Sequence, residues 1–519
     1  MSRVDLAGAA VAAVLAATTA GIVGCAPAGD RGAAGPPAQV PARQLQSSVA
    51  DAYSFLSQMM DKYAAGSTPR LVQSFTGGVL GQQHFTASET YDDALLVDAY
   101  LAAGTPGGRS RAEVIGNGLL YVQAHDPQHD GRVRAAYSPA PLRSPSDVTV
   151  TDAASHVGAM AWAGQALVQL YAATGRRVYL TGAEAIGNWV QAHCHDTRGP
   201  GGYTGGESAN GQKIEWKSAE HNIDLYAFFS LLATETRDPA WSVRAAWARR
   251  FVAGVWDARQ GRFYIGTTSD GKTPNDSVTP EDVNSWSYLA LRDPGYAASV
   301  GWDVRNLAVS ASGFSGVSFC GGDRTGVWFE GTAHLADALE LRGGPGDGAR
   351  AAEYLSDIYH AQAHGPNSDG LGIISASRNG LSDCGGGSYY ASLHTGATAW
   401  YILAAGKTDP FFLISGPHGR SLVPAKRESF VREPSSVHGH GRQPAELAPG
   451  GRRDTLGHFL PAKLGAGKIG QVLAGLSPGI RCVRSERQPT SQLIGDLPHG
   501  AGAQLEGQLR AQVLTQCGR

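Results

Sequence analysis

The chain has 519 residues, of which 42% are hydrophobic and 17% are charged, and its formal net charge is −2. This apolar content excludes a wholly disordered chain, and the near-neutral charge gives no electrostatic case for binding nucleic acid. Charged residues are scarcer than the usual proportion of about 25%, and glycine is abundant, with 69 residues. Such a composition favours closely packed helices joined by glycine-rich loops.

The N-terminus predicts an export signal over residues 1–25. Arg3 is followed by a small and apolar stretch from Leu6 to Gly24, which is the layout of a secretory signal peptide. The stretch ends in Ile-Val-Gly-Cys at Cys25, an ending that resembles the bacterial lipobox, in which the cysteine is lipidated. A plain signal peptide with an incidental cysteine is the alternative. Residues 26–45, rich in alanine and proline, are then expected to be a flexible linker.

Export would place the other cysteines in an oxidising compartment. None of them has CxxC spacing, so no zinc site is predicted. Cys320 and Cys384 each precede a run of glycines and form the candidate disulfide. The remaining three are Cys194, Cys482 and Cys517.

Residues 46–412 carry long helical patterns separated by short glycine-rich connections. One set of helices is apolar on nearly every face, which predicts burial, and the other set is amphipathic, which predicts a covering layer. Six alternating pairs predict an all-α domain with an (α/α)6 barrel. An open solenoid is the alternative, but its repeats would resemble one another in sequence, and these six hairpins do not. The buried helices are predicted to begin near Thr90, Asp152, Ser218, Glu281, Trp328 and Ser388, and the covering helices near Ser47, Arg109, Arg177, Ala240, Ala298 and Gly348.

The loops that lead into the buried helices contain short strand patterns. Residues 256–267 predict a small β-hairpin that turns at Gln260-Gly261. The glycine-rich loop 201–206 is expected to expose Tyr203. Because these loops fall on the side where the buried helices begin, we expect that rim to carry a binding cleft.

The C-terminal segment 413–519 differs from the rest of the chain. It contains no tryptophan or tyrosine and has more basic than acidic residues. Such a segment cannot bury enough apolar surface to fold alone, so a disordered basic tail is predicted. Translation out of frame and binding to an acidic envelope polymer are the alternatives.

The third buried helix opens with a cluster of polar side chains. Glu220, His221, Asn222 and Asp224 directly precede an apolar run. Burying four polar groups is unfavourable unless they are paired or face a solvated cleft. Ser218 as an N-cap accounts for part of the cluster but not for His221 or Asp224. This segment is the strongest functional signal in the chain.

Acidic residues also open the first and the fifth buried helices. Asp92 and Asp93 follow Tyr91, and a capping box with Thr90 is the alternative explanation for Asp93. Glu330 follows two aromatic residues, in a setting that raises a carboxyl pKa toward that of a general acid. Weaker signals come from His156, Asn284, Trp286, Tyr389, Tyr390 and His394.

These motifs, in this order, resemble bacterial proteins of the six-hairpin glycosidase-like superfamily over residues 46–412. The resemblance implies an (α/α)6 toroid with a saccharide cleft at the N-terminal ends of its inner helices. There, acidic side chains act as general acid and as base or nucleophile. It implies Glu220 and Glu330 as the first candidate catalytic carboxylates, followed by Asp92 and Asp93.

Glycoside hydrolysis needs one carboxylic acid and one carboxylate, and sugars stack on aromatic rings, so the residue types fit this chemistry. His221 and Asp224 are expected to orient sugar hydroxyls or to tune Glu220. The full set of candidate substrate-binding residues is Tyr91, Tyr203, Trp216, His221, Asn222, Asp224, Trp286, Trp328 and His394.

The sequence thus predicts an exported glycoside hydrolase that acts as a monomer on a carbohydrate. We expect no cofactor, no metal and no nucleic acid, and contact with a membrane only through the N-terminal lipid anchor. A sugar epimerase or polysaccharide lyase is the first alternative, with His221, His334 and His394 as candidate bases. A non-catalytic glycan-binding lipoprotein is the second. Zinc and serine hydrolases are disfavoured, because HExxH and GxSxG motifs are absent from the sequence.

Overall fold

A computed structural model describes residues 41–414 of the chain. The predicted signal peptide, Cys25 and most of the predicted linker precede the described residues, and the tail from residue 415 onward, with Cys482 and Cys517, follows them. In the described part of the chain, no helix is both long and apolar enough to cross a membrane.

The described residues form thirteen α-helices, two 3-10 turns (Pro145–Asp147 and Pro294–Tyr296) and sixteen short strands. The helices are α1 (Ala42–Asp61), α2 (Gly78–Gln82), α3 (Thr90–Ala102), α4 (Pro106–Ala124), α5 (Val157–Thr174), α6 (Arg177–Cys194), α7 (Ala219–Thr236), α8 (Pro239–Gly254), α9 (Glu281–Leu291), α10 (Ala297–Asn306), α11 (Phe329–Arg342), α12 (Asp347–His364) and α13 (Thr395–Ala405).

The strands pair antiparallel in seven small sheets within the described residues. Two sheets have three strands, β2 (Ser88–Glu89) with β3 (Ala136–Tyr137) and β4 (Val150–Asp152), and β5 (Ser155–His156) with β6 (Gly206–Glu207) and β7 (Lys213–Ile214). The two-stranded sheets are β1 (Phe75–Thr76) with β16 (Leu393–His394), β8 (Trp256–Asp257) with β9 (Arg262–Phe263), β10 (Gly266–Thr267) with β11 (Pro274–Asn275), β12 (Ala308–Ala311) with β13 (Phe314–Val317), and β14 (Leu381–Ser382) with β15 (Ser388–Tyr389).

Six inner helices form a closed ring. Helices α3, α5, α7, α9, α11 and α13 each contact the next in this order, and α13 contacts α3. Helix α1 packs on α13 and α12, so the first helix of the described chain covers the last inner one. This closure establishes the predicted (α/α)6 barrel and excludes the open solenoid, in which the two ends of the array would not meet.

Burial separates the inner helices from the outer ones as their sequences predict. In inner helix α5, 15 of 18 residues are buried, whereas in outer helix α6 only 9 of 18 are buried. Neighbouring inner helices approach each other closely where one of them carries a glycine. A Cβ atom on Gly164 of α5 would lie 2.3 Å from Cζ of Phe228 on α7, so only glycine fits there.

Four of the six inner helices begin within one residue of their predicted starts, but the second and the sixth begin later. Helix α5 begins at Val157 rather than near Asp152, and α13 begins at Thr395 rather than near Ser388. The residues before each helix are extended because they pair with strands from distant loops, as Leu393 does with Thr76. Periodicity along the chain cannot reveal such pairing.

One predicted hairpin forms as expected, and the first helix begins earlier than expected. The predicted hairpin forms from β8 and β9, and Gly261 in its turn has a φ of 68°. Helix α1 begins at Ala42, so residues 42–45, which were assigned to the linker, are helical.

Candidate active site

A cavity of about 400 Å³ lies where the inner helices begin. This volume is within the range of small-molecule sites. All six inner helices contribute to it, with side chains from their first turns or from the residue just before them. The lining residues are Phe75, Glu89, Tyr91, Asp92, His156, Gly158, Ala159, Trp162, Glu220, His221, Asp282, Trp286, Trp328, Glu330, His334, Tyr389 and His394.

Glu330 on α11 is held in a fixed position by an aromatic hydroxyl. The Tyr91 hydroxyl donates to Glu330 Oε1 at 2.7 Å and accepts from Trp400 Nε1 at 2.8 Å. Burial raises the pKa of Glu330 to about 7, although the charge of His394 and the Tyr91 hydrogen bond oppose the increase. The group can therefore exchange a proton near neutral pH.

His394 lies between two carboxylates just before α13. Its Nε2 is 3.1 Å from Asp92 Oδ2, its Nδ1 is 3.4 Å from Glu330 Oε2, and its ring stacks on Phe75 with centroids 4.1 Å apart. Burial opposes the charged form, but the carboxylates of Asp92, Glu330 and Glu89 outweigh it and raise the pKa of His394. When neutral, Nδ1 instead accepts the Ala397 N–H at 3.3 Å and caps α13.

Glu220 faces the same cavity from the first turn of α7. The side chain of Ser218 caps this helix, as predicted, by accepting the His221 N–H at 3.3 Å. Among the described residues Glu220 has no hydrogen-bond partner, and burial together with the charge of Glu330 raises its pKa to about 7. Glu220 and Glu330 are thus two carboxyl groups in one cavity, and each disfavours ionisation of the other.

The other histidines of the cavity are neutral in the folded chain. Burial and the neighbouring His156 lower the pKa of His221 to about 3, and burial lowers the pKa of His334 well below its usual value. His334 Nδ1 lies 3.2 Å from Glu281 Oε2, and its Nε2 lies 3.8 Å from Glu330 Oε1. No cluster in the described part of the chain is arranged to hold a metal ion.

Aromatic rings form the floor of the cavity. Trp162 and Trp286 have ring centroids 5.4 Å apart and line the cavity, and Trp400 stacks on Trp286 at 5.8 Å. Phe411, which follows the last inner helix, packs beneath them, 5.2 Å from Trp162 and 5.6 Å from Trp286. Phe411 therefore closes the base of the cavity beneath these tryptophans.

Asp93, a candidate catalytic residue, does not line the cavity. It is fully buried, its Oδ1 accepts the Val72 N–H at 2.8 Å, and its Oδ2 accepts the Ser88 hydroxyl at 2.7 Å. Successive side chains on a helix project about 100° apart, so only Asp92 of the pair faces the ring axis. The capping box, which was the alternative explanation for Asp93, does not form, because the helix has no side-chain cap and the Thr90 hydroxyl donates to the Arg134 carbonyl.

Two candidate substrate-binding residues instead bind each other. Tyr203 is fully buried rather than exposed, and its hydroxyl donates to Gln191 Oε1 at 2.9 Å. The Asn222 amide accepts the Tyr203 N–H at 2.9 Å and donates to the Tyr203 carbonyl at 3.0 Å. This exchange anchors loop 201–206 against α7, and neither side chain reaches the cavity.

Asp224 and Trp216 also lie outside the cavity lining. Asp224 is buried within α7, and both of its carboxylate oxygens lack a hydrogen-bond partner among the described residues. Burial raises its pKa well above the usual value, so it is a neutral acid in the folded chain. Trp216 is half-buried, and its ring centroid lies 5.6 Å from that of His221.

Sequence reasoning missed six lining residues, of which Gly158 and Ala159 have no functional side chain and the other four are acidic or aromatic. Glu89 and Asp282 are acids at the starts of α3 and α9, where the same argument that selected Glu220 applied to them. Trp162 lies more than one turn inside α5 and looks like an ordinary core residue in the sequence. Phe75 comes from a loop strand, and no pattern in the sequence points to it.

A disulfide holds one side of the cavity rim. Cys320 and Cys384 are bonded and join the loop before α11 to the β14–β15 hairpin. The two loops share a small apolar cluster that contains Trp328, Phe319 and Tyr389. Two of these rings, Trp328 and Tyr389, line the cavity.

No known protein-family model matches this chain, and no curated protein matches its sequence. Solved structures do match its fold. A cellobiose 2-epimerase from Bacillus thermoamylovorans B4167 aligns with a TM-score of 0.53 at 11% identity, over 69% of this chain and 98% of its own. A D-mannose isomerase aligns with a TM-score of 0.52 at 13% identity, over 71% and 98%.

A glycosidase variant aligns similarly, with a TM-score of 0.51 at 13% identity, over 70% of this chain and 97% of its own. At such low identity these likenesses concern architecture alone. They agree with the closed ring of six helix pairs. The chain therefore has an (α/α)6 toroid fold.

Proposed function

We propose that this chain is a glycan-processing enzyme that hydrolyses glycosidic bonds in the cavity at the inner helix starts. One observation carries the proposal. Glu220 and Glu330 face one cavity from different helices, and burial raises the pKa of each to about 7. Two carboxyl groups that share a site ionise in sequence, so the pair holds one proton near neutral pH.

The two carboxyl groups take different roles because their surroundings differ. Glu330 accepts the Tyr91 hydroxyl and faces His394, and both contacts stabilise its carboxylate. Glu220 lacks such partners and keeps the proton. Glu220 then protonates the leaving glycosidic oxygen, and the Glu330 carboxylate either activates a water molecule or attacks the anomeric carbon. The rings of Trp286 and Trp328 offer faces on which a sugar can stack.

Sugar epimerisation or isomerisation is the second candidate, and His394 favours it. This histidine is held between Asp92 and Glu330. To remove a proton from a sugar carbon, its Nδ1 would have to be unprotonated and to release the Ala397 N–H. A cellobiose 2-epimerase and a D-mannose isomerase are among the structures that share this fold.

The first test separates these reactions in one experiment. The full chain is incubated in D2O with a panel of neutral and acidic oligosaccharides, and reducing ends, unsaturated products and deuterium at sugar C2 are measured together. We expect new reducing ends with no deuterium at C2. Deuterium at C2 without bond cleavage would identify an epimerase instead of a hydrolase. Unsaturated products would identify a lyase. A folded protein with none of these signals would be a binding protein.

We also propose that the protein is exported and anchored through Cys25, and that it acts as a monomer. The Cys320–Cys384 disulfide supports export, because stable disulfides are rare in the cytosol. Replacing Cys25 by alanine is expected to move the protein from the membrane fraction to the soluble fraction. Retention of the variant in the membrane would contradict the anchor.

A further inference from the structure

The cavity lining contains five carboxyl groups and no fixed positive charge. Of the described residues that line it, five are acidic, four are histidines, and none is lysine or arginine. The acidic residues come from four different helix starts, so carboxyl groups surround the cavity. They are Glu89, Asp92, Glu220, Asp282 and Glu330.

The histidines of the lining do not supply the missing positive charge. Burial lowers the pKa of His156, His221 and His334, so these three are neutral at neutral pH. His394 is the exception, but its ring nitrogens already face the carboxylates of Asp92 and Glu330. Its charge is therefore balanced within the protein.

Two basic residues lie beside the starts of α7 and α3, and both are held by other contacts. Lys217, three residues before Glu220, is fully buried, and its Nζ lies 3.3 Å from Asp196 Oδ1 and donates to the Arg198 carbonyl at 2.7 Å. Arg134 donates to Asp126 and to the Ala153 carbonyl. Neither side chain could reach a ligand without breaking these contacts.

Asp282 indicates which ligand groups could bind to the cavity lining. It is 4% exposed, it lines the cavity, and its Oδ1 has no hydrogen-bond partner among the described residues. Burial and the charges of Glu220 and Glu330 raise the pKa of Asp282 well above its usual value. A sugar hydroxyl can both donate to and accept from such a neutral carboxyl group. An anion placed there would lack the cation that a buried charge requires.

We propose that this cavity selects sugar units without a negative charge and excludes uronate, sulfated and phosphorylated sugars. The inference rests on the proposed function, because it assumes that the cavity binds a sugar. It also makes the lyase alternative unfavourable, since proton abstraction beside a uronate carboxylate needs that carboxylate to be neutralised.

The experiment compares sugars that differ only in charge. Dissociation constants of the full chain at pH 7 are measured by NMR titration for the methyl glycosides of glucose, galactose and mannose and for the matching uronates. We expect the neutral member of a pair that binds to be favoured by about tenfold or more. Equal or tighter binding of the uronate overturns the proposal.

A matched pair of variants tests whether the lining charge causes the preference. Glu89→Gln removes one carboxylate from the rim and is expected to reduce the discrimination several-fold. Glu113→Gln, which removes an acid paired with Arg176 on the outer surface, should leave it unchanged. If wild type and Glu89→Gln preferred neutral sugars over uronates to the same extent, the charge of Glu89 would not cause the preference.

The outcomes also separate this inference from the proposed function. Neutral sugars that bind but are not cleaved would refute hydrolysis and leave the charge selection intact. Cleavage of uronate-containing oligosaccharides would refute the charge selection and leave hydrolysis intact. Failure of every neutral sugar to bind at millimolar concentration would refute both.

Discussion

At the scale of single residues, the two carboxyl groups Glu220 and Glu330 differ in their contacts and not in their chemistry. Glu330 is tied to Tyr91 and faces His394, whereas Glu220 has no hydrogen-bond partner among the described residues. Burial raises both pKa values to about 7. The contacts therefore decide which group keeps the proton that the pair shares near neutral pH.

Glu220→Gln should lower the rate of hydrolysis by about 10²–10⁴-fold, because it removes the proposed general acid. An aryl glycoside with an acidic phenol as leaving group needs little protonation, so this variant should regain activity on it. Glu330→Gln should lose activity on both kinds of substrate, because attack on the sugar still requires the carboxylate. Steady-state rates with matched substrates measure the difference. If Glu330→Gln regained activity on the aryl glycoside and Glu220→Gln did not, Glu330 would be the general acid and Glu220 the carboxylate.

Asp98 is a buried acid whose protonation affects stability. Burial raises its pKa well above the usual value, and both of its oxygens lack a hydrogen-bond partner among the described residues. The unfolded chain ionises this group above about pH 4, while the folded chain keeps it protonated. The folded state therefore binds more protons, and its stability must fall as pH rises toward the folded pKa.

Asp98→Asn should make the decline in stability above about pH 6.5 shallower, by up to about 1.4 kcal/mol per pH unit. The histidines with lowered pKa values oppose this decline only below about pH 6.5, so they do not affect that window. Urea unfolding at several pH values measures the slope. Asp276→Asn, in an exposed loop, serves as the control. A slope unchanged by Asp98→Asn would show that this group is ionised in the folded chain.

At the scale of elements, the rim of the cavity depends on a covalent link between two loops. Cys320 and Cys384 are 64 residues apart, and a link that closes a loop of that length contributes about 4 kcal/mol in the loop-entropy account. The same loops carry Trp328 and Tyr389 into the cavity lining. The disulfide thus restrains both the fold and the aromatic wall.

The double variant Cys320→Ala, Cys384→Ala should unfold at a lower temperature than the wild type and bind substrate more weakly, because the wall loses a restraint. Thermal unfolding and KM measure the two effects. Cys194, the free buried cysteine of the described residues, provides the control as Cys194→Ala, which should not change KM. Equal KM for wild type and double variant would show that packing alone holds the wall.

At the scale of the whole molecule, the last described residues close the base of the toroid. Gln169 of α5 donates to the Phe412 carbonyl at 2.7 Å and accepts the Ile414 N–H at 3.0 Å. Phe411 is 2% exposed beneath the tryptophan floor. The contacts of the described residues with the toroid therefore continue two residues beyond the predicted domain end at residue 412.

Phe411→Ala should destabilise the protein by about 3–5 kcal/mol, because it leaves a void beneath Trp162 and Trp286. The loosened floor should also raise KM. Phe412→Ala is the matched control, since Phe412 is half-buried and packs under the Arg292 guanidinium instead. Denaturant unfolding and KM measure both variants. If the two phenylalanine variants behaved alike, the floor would not depend on the closing segment.

The sequence by itself determined the helix pairs, their alternation between buried and covering layers, and the position of a polar site at the inner helix starts. These features follow from local periodicity and from the cost of burying polar groups, both of which are visible along the chain. Glu220, Glu330, Asp92 and His221 were found as polar groups at these helix starts, and Trp286 and Trp328 as rings on which a sugar can stack. All six residues line the cavity.

Only the tertiary structure decided which of two adjacent acids faces the cavity and which residues meet across the ring. The rotation of α3 about its axis places Asp92 inside and Asp93 against Val72, and helix packing sets that rotation. His394 reaches Phe75 and Asp92 because α13 closes on α3. Closure joins residues that are far apart in the chain, and no local pattern encodes such contacts.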